Sequence, residues 1–374
     1  MWKLNLQPTR IVRYPTFRLV IFGCIIPVWC LVLLTPGFGI AGELVMLANV
    51  ADPGQITADE PFAEGFSAEK AARYLDTSSL YWQKTNNCAS CHGNLGYMFA
   101  RPALSSVLKD SGEVRALYEE YVTKRWKAQP PQDAQEVVVV AAGLTFNDLQ
   151  TTGRLQPVTR QALQMMWDSQ RDDGGWTWHK AGYPPTESDD HYGVTLAALI
   201  TGIAPDRYVE TEQARRGLEK IRKFLKNNPP LSLHHYAMIA WASCHVSGLM
   251  NDQQRSKTLD ELLTLQRPDG GWSMPGLLAD FKQFKRLDGK PHDTKTSDAY
   301  ATGFVILVAR ELGVSSDDPR LRRGVDWLLS NQRVSGKWFC RSPTKDSRHY
   351  FSNFGSAFAI LALQSCNKLP GWPL

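Results

Sequence analysis

The sequence has no phosphate-binding loop and no nucleophile-elbow motif. P-loop nucleotide hydrolysis and α/β-hydrolase chemistry therefore lack their usual residues. Excess charge is scarce as well. Lys+Arg 42 against Asp+Glu 37 leaves +5, and Lys3, Arg10, Arg13 and Arg18 supply most of it ahead of the first apolar run. The rest of the chain is near balance, without the basic stripe that a nucleic-acid partner needs. Cysteine is sparse, at seven residues, and two of them (Cys24 and Cys30) lie in the leading apolar run. Cys244, Cys340 and Cys366 sit in apolar or aromatic contexts and read as ordinary buried thiols or as one disulfide.

What is present begins with an address. Leu19–Leu34 carries no charge, follows a basic segment and precedes Gly39-Ile40-Ala41. A basic flank, an apolar run and small residues make residues 1–42 an export signal, or a membrane anchor if Thr35–Ala41 lengthens the run and cleavage fails. Either way the body stands outside the cytoplasm, at the extracytoplasmic or periplasmic face. Residues 43–66, rich in Pro, Asp, Glu and Gly, read as a linker.

The body is organised by a repeat. Gln170–Trp176 (QRDDGGW), Gln266–Trp272 (QRPDGGW) and Gln332–Trp338 (QRVSGKW) share their internal spacing. Apolar residues precede each Gln at i, i+3 and i+4: Leu163, Met166 and Trp167, then Leu259, Leu262 and Leu263, then Val325, Leu328 and Leu329. Each Gln thus ends one face of an amphipathic helix. The Gly can take positive φ and stop that helix, and the Trp folds back on its end with the Gln amide against its ring or N–H. Amphipathic segments such as Glu212–Lys226 and Arg320–Leu329 alternate with segments apolar on most sides. The apolar ones are Val137–Leu144, Tyr192–Ile203, Leu233–Ser243, Ala299–Ala309 and Phe354–Leu363. The first kind belongs outside and the second inside. Two joints use Pro pairs instead of the Gln/Trp loop, at Lys127–Pro131 and Lys226–Pro230, where Pro bars the outer helix and opens the inner one.

Six hairpins result: Ser67–Leu108, Gly112–Leu144, Pro157–Ile203, Thr211–Leu249, Asn251–Leu312 and Asp317–Gln364. Ser67 caps the first helix, with Glu69 in its first turn. No terminal repeat shows a polar cap, so the expected fold is all-α, an (α/α)6 toroid over residues 67–374 rather than an open superhelix.

The Gln/Trp units resemble the QW repeats of squalene-hopene cyclases and, more loosely, the toroids of prenyltransferase β-subunits. Arg323-Gly324-Val325-Asp326-Trp327-Leu328-Leu329 with Gln332 and Gly336-Lys337-Trp338 carries the likeness most closely. The resemblance spans Gln161 to Gln364 and is specific for fold rather than activity. It implies an apolar, isoprenoid-like ligand and, for the cyclases, an acid that protonates an alkene. Glu187-Ser188-Asp189-Asp190 stands where their Asp-rich motif would stand, with Glu in place of its first Asp. Asp189 and Asp190 are therefore catalytic candidates, and equally an N-cap and a first-turn acid for the following helix. The prenyltransferase zinc set has no counterpart, since Cys244-His245 and Asp298 stand isolated.

The strongest chemical signal is Cys88-Ala89-Ser90-Cys91-His92, the C-x-x-C-H attachment signature of c-type haem. Cys88 and Cys91 would take the covalent haem, and His92 would be the proximal ligand of its iron. The export signal agrees with that chemistry. A dithiol pair, half a zinc site or a disulfide are the rival readings. Inner helices of a toroid run parallel, so their N-termini meet at one mouth. That places His191, His234 and His235 there as distal-ligand candidates. The functional readings are a haem c toroid in electron transfer or redox chemistry on an apolar ligand, a non-catalytic ligand- or protein-binding toroid with a Cys88–Cys91 disulfide, and a cyclase-like enzyme. Cys88 also falls at the same distance from Gln83 as Gly175 from Gln170, so the signature occupies the slot of a Gln/Trp loop.

Overall fold

A computed structural model describes residues 43–89, 93–131, 133–181, 185–278, 285–346 and 349–369. Residues from Leu44 onward form one compact unit. The apolar run Leu19–Leu34 lies outside the described residues, among which no helix is long and apolar enough to cross a membrane.

Twelve principal helices alternate in position. The odd-numbered ones are outer: α1 (Ala68–Asn86), α3 (Glu113–Glu120), α5 (Pro157–Asp168), α7 (Glu212–Asn227), α9 (Asp252–Thr264) and α11 (Pro319–Ser330). The even-numbered ones are inner: α2 (Asn94–Ala100), α4 (Ala134–Thr151), α6 (Asp190–Ile203), α8 (Leu233–Ser243), α10 (Ala299–Glu311) and α12 (His349–Ser365). Each inner helix packs on the next, and α12 packs on α2, so the ring closes. The chain is an (α/α)6 toroid. Its core is aromatic: Tyr300 and Phe304 contact Phe358 at centroid distances of 5.0 and 5.4 Å, and Phe146 contacts Trp241 at 6.1 Å.

The repeat loops join neighbouring hairpins, and their hydrogen bonds differ from the expectation. The Trp N–H does not meet the Gln. Trp176, Trp272 and Trp338, all without solvent exposure, donate from Nε1 to the carbonyls of Met166, Leu262 and Leu328 at 2.9, 2.7 and 2.8 Å. Each ring thereby satisfies a carbonyl near the end of its own outer helix, where partners run out. The Gln amides reach across. Gln170 donates to the carbonyls of Gly174 and Gly217, Gln266 to those of Gly270 and Arg320, and Gln332 to those of Gly336 and Ser67. In every case the second acceptor belongs to the next outer helix or its cap. One side chain therefore holds its own turn and the neighbouring hairpin together. The third copy ties the last outer helix to the first and closes the seam, with Ser67 N–H donating back to Gln332 Oε1 at 2.7 Å.

Ser67 caps α1 as expected, its hydroxyl accepting from Lys70 N–H at 3.2 Å. The Pro pairs end their outer helices, but they do not open the inner ones. Asp133 caps α4 and Ser232 caps α8, each by a side chain that accepts a backbone N–H. Residues 43–66 are not a free linker. Ala63 N–H donates to the Gln332 carbonyl at 2.8 Å, Val334 N–H to that of Pro61 at 3.0 Å, and Lys337 pairs with Glu60. This strap lies over the seam, and its unpatterned backbone finds partners in the loops it crosses. Cys340 and Cys366 are buried thiols, whereas Cys244 is exposed, and none of the three is in a disulfide.

Candidate functional site

The start of every inner helix needs acceptors for N–H groups that have no intrahelical partner. At α4, α6, α8 and α10 acidic and hydroxyl side chains supply them, and this is what brings polar residues to the mouth. Asp189 accepts the His191 N–H at 2.9 Å as N-cap of α6. Its other oxygen meets His235 Nε2 at 3.1 Å. The His191 and His235 rings stack at 4.6 Å. His234 Nε2 meets the Tyr300 hydroxyl at 3.1 Å, and its ring stacks on Phe304 at 4.7 Å. The structure thus gathers Asp189, His191 and His235 into one cluster and puts His234 beside it, facing α10.

Burial alone would raise the Asp189 carboxyl. The hydrogen bond and charge of His235, with the His191 N–H, outweigh burial and hold it below the usual range. Asp190 is the first residue of α6 and pairs with Arg171 at 2.9 Å and Lys180 at 3.4 Å. Asp189 is thus the N-cap and Asp190 the first residue of α6, and both carboxylates have cationic or capping partners.

His235 is also committed. Its Nδ1 accepts the Leu231 N–H at 3.2 Å while Nε2 faces Asp189, so no lone pair is left for iron. His234 stands on α8, the third helix from α2 in either direction round the ring. Burial, then the charge of His235, lower it to about 3, so it is neutral. Burial, then His235, also lower His191. Cys91 and His92 lie outside the described residues.

The sign of the His234 shift yields a measurable result. Below pH 6.5 the unfolded chain takes a proton that native His234 refuses until about 3. Stability therefore falls as pH drops through that window, by at most about 1.4 kcal/mol per pH unit. Asp298 works the opposite way. Burial pushes it from 3.8 up to about 6, so the native state holds a proton that the unfolded chain has lost, and stability falls as pH rises through that interval. The difference between parent and variant isolates His234. His234→Gln keeps a partner for Tyr300 and cannot titrate, so its urea midpoint should lose less between pH 6.5 and 4 than the parent's. Parallel losses would remove His234 as the buried neutral group.

The flanks of the haem signature are held on both sides. Gln83 Nε2 donates to the Glu113 carbonyl at 3.3 Å, at the start of the next outer helix, as the Gln residues of the repeat loops do. Here α1 runs on to Asn86, and Asn87 ends it with φ +49°. Arg125 clamps Asn87 through its carbonyl at 2.8 Å and its Oδ1 at 2.6 Å. Ala89 N–H donates to the Tyr121 hydroxyl at 3.4 Å, and burial, then Cys88, raise that phenol. Beyond the loop, Ser79 donates to the Gly93 carbonyl at 3.4 Å. Asn94 follows, fully buried, with neither amide atom partnered among the described residues. Sequence reasoning missed Arg125, Tyr121 and Asn94. Arg125 and Tyr121 act from the next hairpin, at a separation that no local pattern reports.

No family model matches the chain, and no curated protein does. Solved structures do. A glycosidase in complex with glucose aligns over 81% of this chain and 98% of its own, with a TM-score of 0.53 at 10% identity. The shared property is the toroid. Two others align with lower scores. An α-1,6-mannanase from Salegentibacter sp. has a TM-score of 0.48 at 10% identity, covering 80% of this chain and 98% of that one. An ent-copalyl diphosphate synthase from Streptomyces platensis has 0.47 at 16% identity, covering 74% of this chain and 51% of that one. At such identities the likeness speaks for the fold and not for the chemistry.

Proposed function

We propose that this toroid is an exported or membrane-anchored carrier of covalent haem c, bound through Cys88 and Cys91 with His92 as axial ligand, and that it acts in electron transfer or redox chemistry. The observation that carries the reading is the slot. In three hairpins the segment after the Gln is a glycine turn closed by a buried Trp. In the first hairpin the Gln keeps its cross-hairpin bond, but the turn is replaced by the thiol-bearing loop, whose flanks Arg125, Tyr121 and Ser79 hold. Asn94 supports the fit, because a wholly buried amide without partners is costly unless a further group satisfies it. Haem, when bound, supplies a one-electron couple. The residues of this chain would fix its attachment points and exclude water from one side.

The test is a pyridine haemochrome spectrum and an intact mass of the mature protein, made with a working haem-attachment system. A c-type α band and the added mass of one haem are expected. Cys88→Ala leaves one thioether and one free vinyl, which shifts the band to longer wavelength. Replacing both cysteines by Ala abolishes covalent haem. Protein lacking haem and two hydrogens lighter than the dithiol overturns the proposal in favour of a Cys88–Cys91 disulfide.

A further inference from the structure

A second site lies away from the haem signature, beneath the strap. A cleft of about 320 Å³ opens between the last two hairpins and residues 58–62. That volume is at the small end of ligand pockets, enough for one or two sugar rings. Its walls are of two kinds. Phe62, Trp327 and Phe339 supply aromatic surface, and Phe62 keeps 53% of its surface exposed. Arg333 stacks over the Phe62 ring at 4.0 Å, so one of its faces is already occupied by a cation.

The polar wall is built of side chains held rigid by their own bonds. Asp269 accepts the Gly271 N–H at 3.1 Å, the Ser297 hydroxyl at 2.8 Å and the Trp327 indole at 3.2 Å. Asp293 accepts Lys295 N–H at 2.9 Å and the Thr296 hydroxyl at 2.6 Å, with Arg341 3.4 Å away. Asp298 accepts Ala301 N–H at 2.8 Å and Met274 N–H at 2.5 Å. Asp269, Asp293 and Asp298 share this wall with Arg333 and Arg341, so it presents little net charge to a ligand. The resident guanidinium on Phe62 also makes an aromatic cage for a second cation a poor use of the ring. Fixed donors and acceptors of both kinds beside aromatic surface suit a neutral molecule with ring C–H faces and many hydroxyls.

We infer that this cleft binds a neutral saccharide, with Phe62 as the stacking platform and the Asp and Arg side chains as hydroxyl partners. The site is independent of the haem reading. It reuses the third repeat loop, which supplies Arg333 and Phe339, and the strap, which supplies Phe62. Sealing the seam and shaping the cleft are therefore done by the same segments.

Saturation-transfer NMR on the full chain tests the inference with maltose, cellobiose, glucuronate and methyl phosphate as probes. At least one neutral disaccharide should bind, with little dependence on salt. Phe62→Ala should weaken it on the order of tenfold, the loss of one stacked ring, while Phe62→Tyr keeps binding. A melting curve separates lost binding from lost fold, and Phe62→Leu, which keeps apolar volume without a ring, replaces the alanine variant if that one unfolds. No transfer to either disaccharide, or transfer unchanged in Phe62→Ala or Phe62→Leu, overturns the proposal. So does binding confined to glucuronate and methyl phosphate and weakened by salt, because that result marks an anion site.

Discussion

Alanine at Gly336 should lower the melting temperature by several degrees. Gly336 has φ +93°, and a Cβ there would stand 2.1 Å from the Lys70 carbonyl oxygen and 2.3 Å from its carbon. Two costs add. The left-handed backbone alone costs an L-residue roughly 1–2 kcal/mol. The clash is with backbone rather than with a flexible side-chain end, so the first outer helix must move away from the seam. That motion stretches the Gln332 bond to Ser67 and the strap contacts around it. A total of about 4 kcal/mol or more is expected, which at this chain length lowers the midpoint by roughly 5 °C or more. Gly153 is the internal control. It has φ +62° with nothing within 4 Å of its Cβ position, so Gly153→Ala should show the backbone cost alone. Gly174→Ala, where the Cβ meets the Lys220 oxygen at 2.1 Å, should match Gly336→Ala. Differential scanning calorimetry on the three variants decides. Gly336→Ala melting beside Gly153→Ala would mean that the turn does not abut the neighbouring helix.

The same turn shows what could be read before any coordinates. Repeat spacing, apolar periodicity and the Pro joints were enough for helices, their inner or outer place and the hairpin count, and the lack of a polar terminal cap for ring closure, because burial and 3.6-residue periodicity leave their mark residue by residue. It was not enough for partners. The Gln amide was expected on its own Trp and instead serves carbonyls of two different hairpins, a choice that depends on which helix comes to lie alongside. The mouth shows the same limit. Asp189 as an N-cap is local chemistry and was legible as one alternative. Its second partner, His235, comes from another hairpin, a pairing that no local pattern reports. The strap escaped notice for the opposite reason. Residues 43–66 have no periodicity to read, and their order comes from partners far along the chain, on α1, on α3 and in the loops they cross.

The other large effect concerns the first hairpin, which carries the haem signature. Arg101 has no solvent exposure and Asp76 only 2%. They form a two-pronged pair, Nε to Oδ1 at 2.7 Å and Nη2 to Oδ2 at 2.9 Å, joining α1 to the turn after α2. Taking both charges out of water is expensive, and their attraction roughly repays it only while the pair is whole. Asp76→Ala leaves a guanidinium buried without its counter-charge, which should cost about 3–5 kcal/mol. The exposed pair Arg73–Glu69, at 3.0 Å on the same helix, should yield only about 0.3–0.5 kcal/mol when broken. Replacing both buried partners, as in Asp76→Leu with Arg101→Met, should recover most of the loss, since an apolar pair of similar volume incurs no desolvation. Urea unfolding of the two single variants and the double variant gives the coupling directly. If the double variant loses as much as the sum of the singles, the cost lies in packing rather than in the stranded charge. If it recovers, the pair acts as a register device. It then matches α1 to α2 across the loop that bears Cys88, Cys91 and His92, and Asp76→Ala should also lower the yield of covalent haem while Glu69→Ala leaves it unchanged.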